Sequence, residues 1–139
     1  MSTNTLGIAR VTKTFRGAEG CRKDRVLVNG DAPGECANAA AANAGNLAGV
    51  SFDSAKDNEG VALSEHGYQH IEVAGPIAYG ARLNVAADGG DVTLRGRVKA
   101  VDETAGAPVT LVGIAEEAAT AEGKTIRVNI RRFGEQITA

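Results

Sequence analysis

Leu47-Ala48-Gly49-Val50, which runs through small and acidic residues to Gly60, is echoed by Leu111-Val112-Gly113-Ile114, which runs to Gly123. In both stretches a short apolar strand reaches a glycine and a β-branched residue, and a turn-rich connection follows. A repeated stretch of this kind implies one supersecondary unit used twice. Because a solenoid needs at least three stacked units, the echo reads as two related halves of one β domain. Neither copy carries a catalytic group.

The flanking sequence extends the β pattern. Arg25-Val26-Leu27-Val28-Asn29 is a short strand closed by the turn Gly30-Asp31-Ala32-Pro33-Gly34, and Tyr68-Gln69-His70-Ile71-Glu72-Val73 alternates with period two. Ala81-Arg82-Leu83-Asn84-Val85 alternates again, followed by the tight-turn signal Asp88-Gly89-Gly90-Asp91. Residues 92–101 form the longest strand candidate, with Val92, Leu94, Gly96, Val98 and Ala100 on one face and Thr93, Arg95, Arg97 and Lys99 on the other. Residues 109–115 are almost continuously apolar, as in a strand covered on both sides, and 125–132 set Ile126, Val128 and Ile130 against Arg127, Asn129 and Arg131. Residues 36–44 are Ala-rich but bracketed by Gly34 and Gly45, which leaves a short helix and an extended segment both open.

Size and composition bound what such a chain can do. Its 139 residues suit one domain with a single core. The hydrophobic share of 43% is mostly Ala and Val, with three Phe, two Tyr and no Trp, so the core is thin and aliphatic and an aromatic-lined ligand pocket is not expected. Eighteen glycines between apolar runs fit many short strands joined by tight turns. A net charge of −2 provides no general attraction to nucleic acid or to an anionic membrane, and no run approaches the ~20 apolar residues of a membrane span. The polar first ten residues lack a signal peptide's apolar region, so Cys21 and Cys36 are expected as reduced thiols in a protein made in a cytoplasm.

The expected fold class is therefore all-β: a single-domain, jelly-roll-like β-sandwich or barrel over residues 25–139, preceded by an N-terminal extended arm or first strand over 1–24. Within 1–24, Leu6, Ile8, Val11 and Phe15 lie on an alternating stretch that is a candidate for reaching a neighbouring subunit by strand addition. Catalytic, cofactor and metal constellations are not found. His66 and His70 have H-x3-H spacing, but on an extended segment residues four apart are ~13 Å from each other, too far to share an ion. The Gly30–Gly34 loop lacks the Lys-Ser/Thr tail of a phosphate-binding loop. Cys21 and Cys36 lack a nucleophile motif, and the acidic connections lack a calcium-loop pattern. Arg95, Arg97, Lys99, Arg127 and Arg131 make basic strand faces suited to an acidic protein surface, since the guanidinium fork pairs bidentately with carboxylates.

Residues 26–128, about three quarters of the chain, resemble the capsid cement, or head decoration, proteins of tailed bacteriophages. The resemblance rests on the order of elements: a strand and Gly-Asp before the Ala-rich stretch, Leu-x-Gly-Val leading to Gly, and Val73-Ala74-Gly75-Pro76-Ile77 followed by Gly80-Ala81-Arg82-Leu83. A Gly-Gly turn and Val112-Gly113-Ile114-Ala115-Glu116-Glu117-Ala118, with Gly123 and Ile126-Arg127-Val128, complete it. It implies a small, non-enzymatic virion protein that binds the major capsid protein on the outer surface of the shell between capsomers. It further implies a homo-oligomer, with a dimer favoured over a trimer, and no cofactor. Two other readings compete with it. One is a receptor- or glycan-binding module of a phage tail or fibre, for which the chain has few aromatic rings. The other is a nucleotide hydrolase on a trimeric jelly roll, for which no compact acidic motif is present.

Overall fold

The computed structural model describes residues 11–130 and 133–138, and the fold is all-β as expected. Five strands form a closed barrel: β1 (Val11–Phe15), β2 (Val26–Asn29), β3 (Glu35–Asn38), β4 (Leu47–Ser51) and β5 (Gly60–Ser64), in the order β1-β3-β2-β4-β5. Four contacts around this ring are antiparallel, and the parallel pair β1·β3 is the fifth. A second five-stranded sheet follows, with β6 (Tyr68–Glu72), β7 (Arg82–Val85), β8 (Val98–Ala100), β10 (Gly113–Ala115) and β11 (Thr125–Asn129) in the order β6-β11-β10-β7-β8. Two short strands, β9 (Pro108–Thr110) and β12 (Gln136–Thr138), make a separate hairpin-like pair.

The two sheets are one unit built twice. Read from the first strand of each, the order is β1·β5·β4·β2·β3 in one and β6·β11·β10·β7·β8 in the other, with successive strands antiparallel in both. The register agrees residue by residue. Leu27 lies opposite Gly49 and Asn38, as Leu83 lies opposite Gly113 and Ala100. Val50 pairs with Ser64 as Ile114 pairs with Asn129, and the isolated antiparallel bridge Cys21–Ala55 has its counterpart in Ile77–Ala119. The parallel closure Phe15–Cys36 recurs as the single bridge Val73–Val98, so the second unit is a barrel nearly closed.

The interiors correspond as well. The first barrel encloses Phe15, Cys21, Leu27, Cys36, Ala48, Ala55, Val61 and Leu63. At the matching places the second unit buries Val73, Ile77, Leu83, Val98, Val112, Ala119, Ile126 and Val128. Apolar bulk is thus shared throughout while identity is kept only at Leu27/Leu83 and Ala55/Ala119, because burial selects volume and hydrophobicity rather than a particular side chain. The matching also accounts for the echoed glycines. A Cβ on Gly49 would lie 2.7 Å from the Ser64 carbonyl oxygen and 2.5 Å from Leu63 Cδ1, and one on Gly113 would lie 2.5 Å from the Asn129 carbonyl oxygen and 2.7 Å from Val128 Cγ1. Both glycines let the same partner strand approach. The second glycines of the echo are not equivalent: Gly123 (φ 83°) matches Asn58 (φ 67°), since their amides donate to the Val73 and Phe15 carbonyls, whereas Gly60 begins β5.

The units pack through the outer face of the first. Val26, Val28 and Val50 point out of the barrel and join the interior cluster of the second unit in one continuous core. This is why β2 is apolar on both faces. Arg25 seals the seam: it is 3% exposed, its guanidinium donates to the carbonyls of Thr93 (2.8 Å) and Arg95 (2.9 Å), and it pairs with the Glu72 carboxylate at 3.2 Å. Gly96 crosses Val26 there at φ 86°, a conformation in which a side chain is strained, and its carbonyl accepts from the Val26 amide.

Several local expectations are corrected. The expected strand over 92–101 is interrupted: Val92–Leu94 is a 3₁₀ turn capped by the Asp91 carboxylate, Gly96 is left-handed, and only Val98–Ala100 is extended. The apolar run 109–115 is two strands, because the chain leaves the β12 pairing at β9 and joins β7 and β11 at β10. Residues 36–44 divide between β3 and a 3₁₀ turn at Ala41–Asn43.

Candidate docking surface

The boundary at residue 24 runs through the first barrel. β1 is paired to β5 over Val11–Thr14 and to β3 at Thr14 and Phe15, so its C-terminal half is occupied on both edges within the chain. Phe15 is fully buried in the barrel, which removes it from the surface, and Val11 is partly buried against the same interior. Leu6 and Ile8 lie outside the described residues, as does Arg131.

The basic residues expected on one face are dispersed. Arg95 donates to Asp88 at 2.8 Å, and this bond, with the Gly90 amide, holds the Asp88 carboxyl below its ordinary value. Arg97 is 7% exposed and reaches Glu122 at 3.3 Å. Lys99 is exposed on β8. The left-handed Gly96 breaks the alternation that would have aligned them.

Arg127 differs from these. It is exposed on β11, its guanidinium lies 5.3 Å from the centroid of the Tyr68 ring, and it makes no ion pair among the described residues. Its cross-strand partner is His70, also exposed on β6, while Tyr68 at the strand's start is 54% exposed. Of the nearby acids, Glu117 accepts from the Arg127 amide at 2.8 Å, Glu72 holds the buried Arg25, and Asp24 lies in electrostatic reach of His70. Tyr68, His70 and Arg127 were visible in the sequence as outward residues of two alternating strands. Their adjacency was not, because it depends on β6 pairing with a strand over fifty positions away.

Depressions elsewhere are open and polar. One of about 540 Å³ is lined by Asn29, Asp31, Glu35, Asn46 and Asp57 beside Arg16, whose guanidinium is already held by Asn58, Glu35 and Asp57. Among the described residues no group of three or more His, Cys, Asp or Glu is placed to hold a metal ion, and no helix is long and apolar enough to cross a membrane. Both cysteines are free and buried inside the first barrel. Burial pushes the Cys36 thiol up to about 11, with the neighbouring Cys21 adding to the effect, and burial raises Cys21 too. Thiols this hard to ionise are poor nucleophiles.

No family model matches the sequence, and no curated protein matches it. The fold is similar to the crystal structure of the head fiber gp8.5 N base in bacteriophage phi29, with 15% sequence identity, a TM-score of 0.59, and coverage of 91% of this chain and 96% of that one. At that identity the likeness is one of fold.

Proposed function

We propose that this chain is a structural protein of a tailed-phage head, fixed to the outer surface of the shell formed by the major capsid protein. The observation that carries the reading is a shared fold, over nearly the whole of both chains, with the base of a phage head fibre. The order of sequence motifs, which resembles head decoration proteins, supports the same location by a separate route. In this reading the protein works by contact and not by turnover. Two barrels, the outer face of the first packed into the core of the second, make a stiff block, and a block that touches two capsomers at once gains avidity from modest contacts. A cement that ties capsomers together and a base that carries a fibre are two versions of this role. The neighbour's own description favours the second.

Cosedimentation with mature shells tests the reading. Purified protein is expected to pellet with shells at a saturable ratio and to decorate their outer surface in electron micrographs. Protein that stays in the supernatant at micromolar concentration refutes it.

A further inference from the structure

Since the two units share strand order, register and interior, whatever the fold itself requires should recur in both, and an exposed feature present in only one serves something else. The outer face of β6·β11 is such a feature. In the second unit it carries Tyr68, His70, Glu72, Thr125 and Arg127; the register-equivalent face of the first carries Thr12, Thr14, Gly60 and Ala62 at the places of His70, Glu72, Thr125 and Arg127. With the Glu72 carboxylate drawn to Arg25, a small, neutral surface in one copy presents a phenol ring, an imidazole and a guanidinium in the other.

Arg127 lies directly opposite His70, so no carboxylate faces it across the strand pair. The guanidinium finds a ring rather than a carboxylate, and the ring is left more than half exposed. A stacked Arg–Tyr pair is a common anchor of protein interfaces: both are large, with few rotatable bonds in the ring and a pre-shaped fork in the guanidinium, so little order is lost when a partner covers them.

We propose that the β6·β11 face is where this chain docks on its protein partner, and that the partner presents a carboxylate-bearing strip to Arg127 and His70 while an apolar side chain or backbone covers Tyr68. This rests on the head-surface reading above and names the surface it would use. Charge complementarity selects the occupant: the Arg127 guanidinium makes no ion pair among the described residues, Glu72 and Glu117 are engaged by Arg25 and by the Arg127 amide, and Asp24 lies in electrostatic reach of His70.

Two experiments separate the surface from the reading. In the first, wild type, Arg127→Glu, Tyr68→Ala and the control Lys99→Glu are cosedimented with mature shells; the replaced side chains are all exposed, so the variants keep the fold. Arg127→Glu and Tyr68→Ala are each expected to weaken binding at least tenfold and Lys99→Glu less than threefold. Wild-type binding with unchanged Arg127→Glu binding overturns the proposed surface and leaves the reading intact. In the second, backbone amide shifts of the free full-length protein are followed during titration with a poly-glutamate peptide at low salt. Shifts concentrated in 68–72 and 125–129 support the surface even where shells are not bound. Shifts centred elsewhere, or none, overturn it.

Discussion

Replacing Gly113 with alanine should loosen the second barrel at a defined point. The new Cβ would sit 2.5 Å from the Asn129 carbonyl oxygen, roughly 1 Å inside the ~3.5 Å at which heavy atoms rest. That oxygen belongs to the backbone of the paired strand β11 and cannot rotate away, so β10 and β11 must separate. Overpacking of this kind costs about 1–3 kcal/mol, partly offset by the ~0.5–1 kcal/mol that a strand gains when glycine gives way to alanine. Because the clash is with backbone, the upper end applies, and about 3 less about 1 leaves a net loss of about 2 kcal/mol, or ~4–8 °C in Tm for a chain of this size. Gly49→Ala places its Cβ 2.7 Å from the matching Ser64 oxygen and should cost the same within about 1 kcal/mol. Gly60→Ala is the control, because its Cβ meets only Thr12 Cγ2 at an ordinary 3.6 Å; it should be neutral or stabilising by up to ~1 kcal/mol. Urea unfolding followed by circular dichroism reads all three. One transition is expected, since a continuous core joins the units, and the slope with denaturant should not change. A Gly113→Ala variant within about 0.5 kcal/mol of wild type, or a Gly60→Ala variant equally damaged, refutes the close-approach account.

Arg25→Ala should cost about 3–5 kcal/mol, because it leaves the Thr93 and Arg95 carbonyls and the Glu72 carboxylate without their donor at the seam; a loss below about 1 kcal/mol in the same urea assay argues against the latch. Cys36→Val installs the residue found at the equivalent place, Val98, and should change stability by less than about 1.5 kcal/mol. A thiol reagent at pH 8 should leave both native cysteines unlabelled and react with both after unfolding, given a Cys36 thiol pushed up to about 11; rapid native labelling contradicts their placement. Asp24 holds a left-handed φ of 62° where the second unit has Gly80 at 83°, and burial raises its carboxyl above 3.8. An acid with a raised folded pKa binds its proton more tightly when folded, so its contribution is most favourable below 3.8 and declines as pH rises through the raised value. Asp24→Gly should therefore stabilise by ~1 kcal/mol at pH 7 and by less at pH 3.5; a gain that grows on acidification reverses the sign and refutes the cause.

The β class and the use of one unit twice were legible along the chain, because each rests on local pattern: period-two alternation, glycines at turns, and the repeated Leu-x-Gly-β-branched stretch. Two barrel strands, β3 and β5, were hidden, since Ala-rich and Gly-led segments have little strand propensity and are extended here only because neighbours pair with them. Residues 92–101 alternate on paper yet turn in space, because Asp91 caps a 3₁₀ turn and Gly96 must cross Val26. The basic stripe disappeared for the same reason, and Arg97 is buried, with its guanidinium reaching an exposed Glu122.

Sequence alone settled what kind of surface this chain folds into: short alternating strands with small aliphatic interiors, since alternation and turn chemistry act over a few residues. Only the tertiary structure decided which strands meet, that β1 closes a barrel instead of reaching outward, and that Arg127 stands over Tyr68 opposite His70. Those outcomes depend on pairings between distant segments, whose register is selected by the burial of whole faces and is not written in any one of them.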